Sequence, residues 1–473
     1  MRGAAAAAAL AALVLAGCAL GPRYQRPAEL APEAYRDAPQ DPASIADLPW
    51  FEVFGDAALR GLVEEALANN RDLAAAAARV EQARALAAVQ RGELFPDLGY
   101  EADAWRERDA SFGAPTRGTG TQNNYLGLLN AAWEIDVWGR IRRATEAARA
   151  ELLASESFRR GVVLSLVTGV AQAYFELREL DLELEITRRT VDTFRETRDL
   201  FERQFRGGVA SRLDVLRGEA ALAQAAATVP EIERQIVAKE NELSLLLGRP
   251  AGPIERGDAL TAQALPPEVP AGIPSQLLER RPDVLEAEQV LRAETARIGE
   301  RVAAFFPRIG LTAVAGRTSG ELDSVLSGPS FWTLVGNAVG PLFTFGRTWY
   351  GWRASEAAAR AALQSYQQTV LQALADVSNA LTARETLART RAEQERAVEA
   401  LAEALRIARI RYVGGLATYL EVLDAQQQLL PAELALARTR RDELIAVVAL
   451  YRALGGGWQE APPAPGVPLP LAP

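Results

Sequence analysis

The feature that most constrains this 473-residue chain is that it carries one pattern twice. Asn70-Arg71-Asp72-Leu73 opens a segment rich in Ala, Glu and Arg that ends at Leu94-Phe95-Pro96. Arg281-Pro282-Asp283-Val284 opens another that ends at Phe305-Phe306-Pro307. Asp72 to Asp283 and Pro96 to Pro307 are both displacements of 211 residues. Further along the displacement is 207: Asn130 matches Asn337, Gly139-Arg140 matches Gly346-Arg347, Gly207-Gly208 matches Gly414-Gly415, and Leu247-Gly248 matches Leu454-Gly455. The four-residue difference falls between Gly99 and Asn130, where turns are expected.

Each half reads in the same order. A helix comes first, roughly 62–94 and 275–305, followed by strand, turn and strand over 96–138 and 307–345. The turns are marked by Gly113-Ala114-Pro115, Gly118 and Gly120 in the first half, and by Ser327-Gly328-Pro329 in the second. A proline-free stretch follows, 140–206 and 347–413, then Gly-Gly and a second helix, 211–247 and 418–454. Unbroken, the long stretch would span about 100 Å, too long for a globular core and suited to a coiled coil or helical tube. The organisation is therefore a leader over 1–17, a segment 18–60, repeats over 61–248 and 275–457, a linker 249–274 and a Pro-rich tail 458–473.

Composition removes several function classes. Histidine is absent and Cys18 is the sole cysteine, so Ser-His-Asp and Cys-His chemistry and Cys/His metal clusters are excluded. No phosphate-binding glycine loop appears. The net charge of −9 gives no basic surplus for nucleic acid. Lys239 is the only lysine, a compositional bias rather than a site.

Met1-Arg2 followed by an apolar run from Ala4 to Ala16 has the length of a signal peptide. It ends in Leu15-Ala16-Gly17-Cys18, which resembles a bacterial lipobox, with Cys18 as the lipid attachment point. Cleavage there removes Arg2 and takes the charge from −9 to −10. Ala19 then stands where inner-membrane lipoproteins typically carry aspartate, which points to the outer membrane.

Beyond the leader no run of 18 or more apolar residues exists, so a membrane span would need strands that close into a barrel. Tyr125 to Val137 places Tyr125, Gly127, Leu129, Ala131, Trp133, Ile135 and Val137 on one face and Asn130, Glu134 and Asp136 on the other. Leu98, Tyr100, Ala102 and Ala104 alternate with Asp97, Glu101 and Asp103. The second half repeats the alternation with Ile309, Leu311, Ala313 and Ala315, then Trp332, Leu334, Gly336, Ala338, Gly340 and Leu342. Two hairpins supply four strands and small barrels need about eight, so closure requires several chains.

Several motifs together carry a family resemblance. They are Cys18-Ala19-Leu20-Gly21-Pro22-Arg23-Tyr24-Gln25-Arg26-Pro27, the two Phe-Pro helix ends, Pro341-Leu342-Phe343 before Gly346-Arg347, and the run from Arg411-Tyr412-Val413-Gly414-Gly415 to Asp424-Ala425-Gln426. The chain resembles the TolC-like outer-membrane efflux factors, in the lipoprotein branch called NodT or OprM type. The resemblance implies a mainly helical α+β fold. It implies a homotrimer whose twelve-stranded barrel continues into a twelve-helix periplasmic tunnel. It implies a periplasmic adaptor and an inner-membrane pump, of the proton-driven RND type, as partners, and no cofactor beyond the lipid. The expected activity is a passive exit duct for small molecules. Type I protein secretion and a non-porous lipid-anchored coiled-coil scaffold are the alternatives, and an enzyme is the remotest reading.

On that resemblance the two Gly-Gly turns are the periplasmic tips. Adaptor docking then falls to Gly207, Gly208, Val209, Ala210, Ser211, Gly414, Gly415, Leu416, Ala417 and Thr418. Glu421 and Asp424, three residues apart, share a helix face and by family position ring the closed entrance. Their first-half counterparts are Asp214 and Arg217, so only one half is doubly acidic. Asp214 and Tyr412 occupy positions of an inter-helix latch, and Ala417 replaces an arginine that some members use in it. Asp97, Glu101, Asp103, Glu134 and Asp136 are expected in the barrel lumen and predict a cation-preferring pore.

Overall fold

The computed structural model describes residues 19–28, 32, 44–108, 121–263, 272 and 274–456. The leader, Cys18, the glycine turns at 113–120, most of 264–273 and the tail lie outside the described residues. Two compact units divide the chain, one of residues 1–28, 79–156 and 286–367, the other of 29–78, 157–285 and 368–473.

A short helix α1 (Trp50–Phe54) precedes the first repeat, which runs α2 (Ala57–Asn69), α3 (Arg71–Gly92), β1 (Asp97–Arg108), β2 (Thr121–Ile135), α4 (Arg140–Arg206) and α5 (Arg212–Leu246). The second runs α6 (Pro274–Arg280), α7 (Pro282–Ala303), β3 (Arg308–Ser319), β4 (Ser330–Val339), α8 (Arg347–Val413) and α9 (Tyr419–Ala453). No helix among the described residues is long and apolar enough to cross a membrane.

The opening helix of each repeat is broken in two, which corrects the single helices expected over 62–94 and 275–305. The break falls at equivalent residues, Asn70 and Arg281. Asn70 leaves helical geometry (ψ 131°), and its Oδ1 accepts from the Leu73 amide at 2.9 Å, capping α3. At Arg281 the following proline disfavours helical backbone, while Pro282 itself suits the first helical position. Each break is tied to the end of its repeat's last helix: Asn70 Nδ2 donates to the Leu246 carbonyl at 2.9 Å, and an Arg281 guanidinium nitrogen to the equivalent Ala453 carbonyl at 3.1 Å. Amide and guanidinium thus perform one task, satisfying a helix-terminal acceptor. Asp283 and Asp376 hold the buried Arg281 by hydrogen bonds of 2.7 and 3.0 Å.

Four helices stop in the same way. At Gly208, Gly248, Gly415 and Gly455, φ lies between 71° and 76°. In each case the amide after the glycine bonds the carbonyl five residues back, as Val209 to Gln204 (2.8 Å) and Leu416 to Arg411 (2.8 Å). The glycine amide itself bonds three back, so orphan carbonyls are satisfied in a Schellman turn.

The strands form one antiparallel sheet in the order β1-β2-β3-β4. Its register sets Leu98 opposite Ala131, Ala131 opposite Ala313 and Ala313 opposite Leu334. Strand ends differ from expectation: β2 stops at Ile135 and β4 at Val339, so Asp136, Val137, Gly340 and Leu342 are not strand residues.

Candidate functional site

Over most of its length the sheet keeps one face apolar across all four strands, with Arg106, Asn123, Arg317 and Ser319 at the far end of that face. Directly opposed residues share a face, so Leu98, Tyr100, Ala102 and Ala104 lie with Tyr125, Gly127, Leu129 and Ala131, with Ile309 to Ala315, and with Trp332, Leu334 and Ala338. Asp97, Glu101 and Asp103 occupy the opposite face, which also carries Asn130, Thr312, Thr333 and Asn337 together with Leu126, Leu128, Val314 and Val335. On that face the duplication recurs as a cross-strand pair. Asn130 stands opposite Gly99 and Asn337 opposite Gly310, and a Cβ at either glycine would come within 2.4 Å or 2.3 Å of the asparagine Oδ1.

Of the other two residues expected in the lumen, Glu134 stays in β2 on the same face as Asn130, whereas Asp136 lies beyond the strand end. Asp136 accepts from the Ile141 and Arg142 amides at 3.1 and 2.9 Å and from the Arg142 side chain, so it caps α4. Glu134 takes a two-pronged hydrogen bond from Arg140 at 2.8 and 3.0 Å. Its charge is matched by the start of the same helix.

The two helix turns lie in the other unit. Phe201 of α4, Tyr412 of α8 and Tyr419 of α9 stack edge to face, with centroids 4.1 Å apart for Phe201–Tyr419 and 5.7 Å for Phe201–Tyr412. Val215, Ala408, Val422 and Leu423 belong to the same apolar cluster, with Val191, Phe194, Ala221 and Ala225 further along. Burial, and the charge of Asp214 nearby, push the Tyr419 hydroxyl up to about 12. That hydroxyl is buried without a hydrogen-bond partner among the described residues.

The expected bond between Asp214 and Tyr412 is not made. Tyr412 donates to Gln204 Oε1 at 2.6 Å, while Asp214 closes a capping box with Ser211 (Oγ to Oδ2 2.6 Å). Asp214 is the third residue of α5, where a carboxylate reaches back to the cap amide more readily than across to another helix. Thr418 makes no such side-chain cap, and Glu421 instead faces Arg411 at 3.5 Å. Glu421 and Asp424 are both exposed, on the face of α9 opposite the buried Val422, Leu423 and Gln426. Asp424 accepts from Gln428 at 2.7 Å. Val209 and Leu416 project from the turns, 81% and 76% exposed.

Sequence reasoning missed a buried acidic pair. Glu179 and Glu183, one helical turn apart on α4, are held by Arg438 (2.8 Å to Glu183) and Arg441 (3.4 Å to Glu179) of α9. Burial, then the neighbouring Glu183, push Glu179 up to about 7, and both arginines together fail to offset this. The sequence signal was the i, i+4 spacing of glutamates on a helix face otherwise buried.

Comparison with known proteins places this geometry. A family model described as "Outer membrane efflux protein" matches residues 62–249 and 273–456, one match per repeat. The probable efflux pump outer membrane protein TtgC of Pseudomonas putida is 36% identical over 96% of this chain and 95% of its own. The cation efflux system protein CusC of Escherichia coli is 32% identical over 95% of this chain and 98% of its own. The solved outer-membrane channel OprN superposes with a TM-score of 0.87 at 33% identity, covering 93% of this chain and all of its own.

Proposed function

The chain belongs to the outer membrane efflux protein family and is an outer-membrane efflux channel; from that premise we propose that several copies, three by family analogy, close one passive conduit for small molecules. The observation that carries the closure is the sheet itself. It has an apolar face continuous over four strands, yet β1 and β4 leave both edges unpaired in the single chain. Unpaired strand edges are untenable in a bilayer, and four strands are too few to curl shut alone. The apolar face is read as facing lipid, and the face with Asp97, Glu101 and Asp103 as lining the pore. Cys18 is read as carrying the lipid.

The turns at Gly207–Ser211 and Gly414–Thr418 are read as the docking points of a periplasmic adaptor working with an inner-membrane pump. Glu421 and Asp424 are read as the entrance ring, tied by the Arg411 and Tyr412–Gln204 contacts rather than by Asp214. No catalysis and no cofactor is assigned to the channel. Relatives named for an efflux pump (TtgC) and a cation efflux system (CusC) support efflux over protein secretion. Purified protein run unheated in detergent should migrate as an oligomer and give discrete conductance steps in planar bilayers. An oligomer that never conducts would favour the scaffold instead.

A further inference from the structure

The two repeats carry opposite charge where their strands give way to the long helices. In repeat one, Arg140 opens α4 among carboxylates: Glu134 at 2.8 Å, Glu93 at 3.5 Å, and Asp136 on the amides that follow. Asp97 opens β1 on the same sheet face as Glu134. The duplication carries Arg140 to Arg347, which opens α8. Every one of those carboxylates is replaced. Ala304 stands for Glu93, Arg308 for Asp97, Pro341 for Glu134 and Phe343 for Asp136. Gln90, in the last turn of α3, has Arg301 as its counterpart in the last turn of α7.

The outcome in repeat two is a basic recess. Arg301, Arg308 and Arg347 line one cavity of about 510 Å³, together with Phe306, Val339 and Thr348, and among the described residues no carboxylate lines it. None of the three guanidiniums forms an ion pair or a side-chain hydrogen bond among the described residues. Arg308 and Val339 are directly opposed and lie on the sheet face that carries Asn337. Arg347 begins a helix whose first turn holds no acid. The helix dipole disfavours a cation there and favours an anion. Like charges that converge without a counter-charge repel, and an anion placed among them removes the cost.

We propose that Arg301, Arg308 and Arg347 bind the acidic group of an organic solute, a carboxylate, phosphonate or sulfonate, with Phe306 and Val339 as the wall for its apolar part. The planar fork of a guanidinium meets such oxyanions in two-pronged geometry. The cavity has the size of a small-molecule site, for which about 300–1,000 Å³ is usual. Its place on the transport path rests on the reading of that sheet face as the pore wall. The acids of β1 and α9 act elsewhere on the path. The arginines give an anionic solute a stopping point that holds it and still releases it, as conduction requires.

Phenylphosphonate, which joins an oxyanion to one ring, is the probe. Calorimetric titration of the purified protein should show it binding. Arg308→Gln and Arg347→Gln should each weaken binding about tenfold or more, the loss expected for a charge-assisted hydrogen bond. Ala304→Glu restores the carboxylate of repeat one and should abolish binding. Arg396→Gln, a change of equal charge at an exposed site on α8, should leave it unchanged. Arg301→Gln replaces Arg347→Gln if the latter fails to fold. In planar bilayers the probe should interrupt the current of the parent channel and not that of Arg308→Gln. No binding, or binding equally weakened by Arg396→Gln, overturns the site. Conductance without binding overturns the site and leaves the channel reading intact, whereas binding without conductance does the reverse. Anionic phospholipid that copurifies with the parent and not with Arg308→Gln, in place of probe binding, would assign the recess to a lipid headgroup and overturn the solute.

Discussion

At the residue scale the Gly-Gly turns divide their labour. Gly208 and Gly415 sit at positive φ with no atom within 4 Å of an added Cβ, so their requirement is conformational and not steric. Gly207 and Gly414 have ordinary backbone, and a Cβ there meets carbonyls at 3.5 and 3.4 Å, close to normal contact. Gly208→Ala and Gly415→Ala should each cost about 1 kcal/mol in thermal or denaturant unfolding. Gly207→Ala and Gly414→Ala should be near neutral; equal losses at all four would show that packing, not φ, fixes the turns. Glu179 gives a pH-dependent case. Its folded pKa, about 7, lies above the ordinary glutamate value of about 4.3, so the folded state holds the proton more tightly. Its contribution is favourable below the unfolded value and is lost as pH rises towards 7. Glu179→Gln keeps the shape without the charge, so its midpoint of thermal unfolding should gain on the parent between pH 5 and pH 7 and hold that gain above. A difference constant across this range would mean that Arg438 and Arg441 stabilise the charged form after all.

At the element scale the sheet offers a test of the duplicated Gly–Asn pair. Gly99→Ala should push the Asn130 side chain off its position and destabilise the hairpin by about 1 kcal/mol. Asn130→Ala should remove most of that penalty, so a double-mutant cycle on the thermal unfolding of the purified protein should show coupling of the same order. Strict additivity would mean that the asparagine simply rotates away. Legibility also varied by element. The long helices, the Gly-Gly turns and the four strands were readable because each depends on a local pattern: proline-free length, glycine, period-2 alternation. The breaks at Asn70 and Arg281 were not read, although Asn70 and the Pro after Arg281 are standard stop signals. What makes them breaks rather than kinks is the distant Leu246 and Ala453 carbonyls they serve. Asp136 was misplaced for a related reason. Alternation continues through it, but the amides of Ile141 and Arg142 compete for its carboxylate and end the strand. At the helix turns, the partners Arg411 of Glu421 and Gln204 of Tyr412 come from other helices that sequence spacing does not align, while Asp424 is bonded by Gln428 of its own helix.

At the scale of the whole molecule, the proposed conduit makes charge along its path the quantity to test. The chain carries 61 acidic against 52 basic residues, but a surplus spread over a surface gives no selectivity unless it lines the path. Among the expected pore acids, Asp136 instead caps α4, and the charge of Glu134 is offset by Arg140. Asp97, Glu101 and Asp103 of β1, with Glu421 and Asp424 of α9, carry the prediction. Of the last two, Glu421 faces the guanidinium of Arg411, whereas the bond to Asp424 comes from the uncharged Gln428. Repeated by symmetry, Asp424 presents the less compensated ring, so it should dominate ion choice at a narrow entrance. The reversal potential across a KCl gradient should therefore carry the sign of cation preference. Asp424→Ala should move it towards zero further than Glu421→Ala does. The preference should shrink as salt approaches 1 M, where screening falls to about 3 Å. Anion preference in the parent channel would sink the lumen assignment, and a larger shift from Glu421→Ala would mean that Arg411 leaves it when the entrance opens.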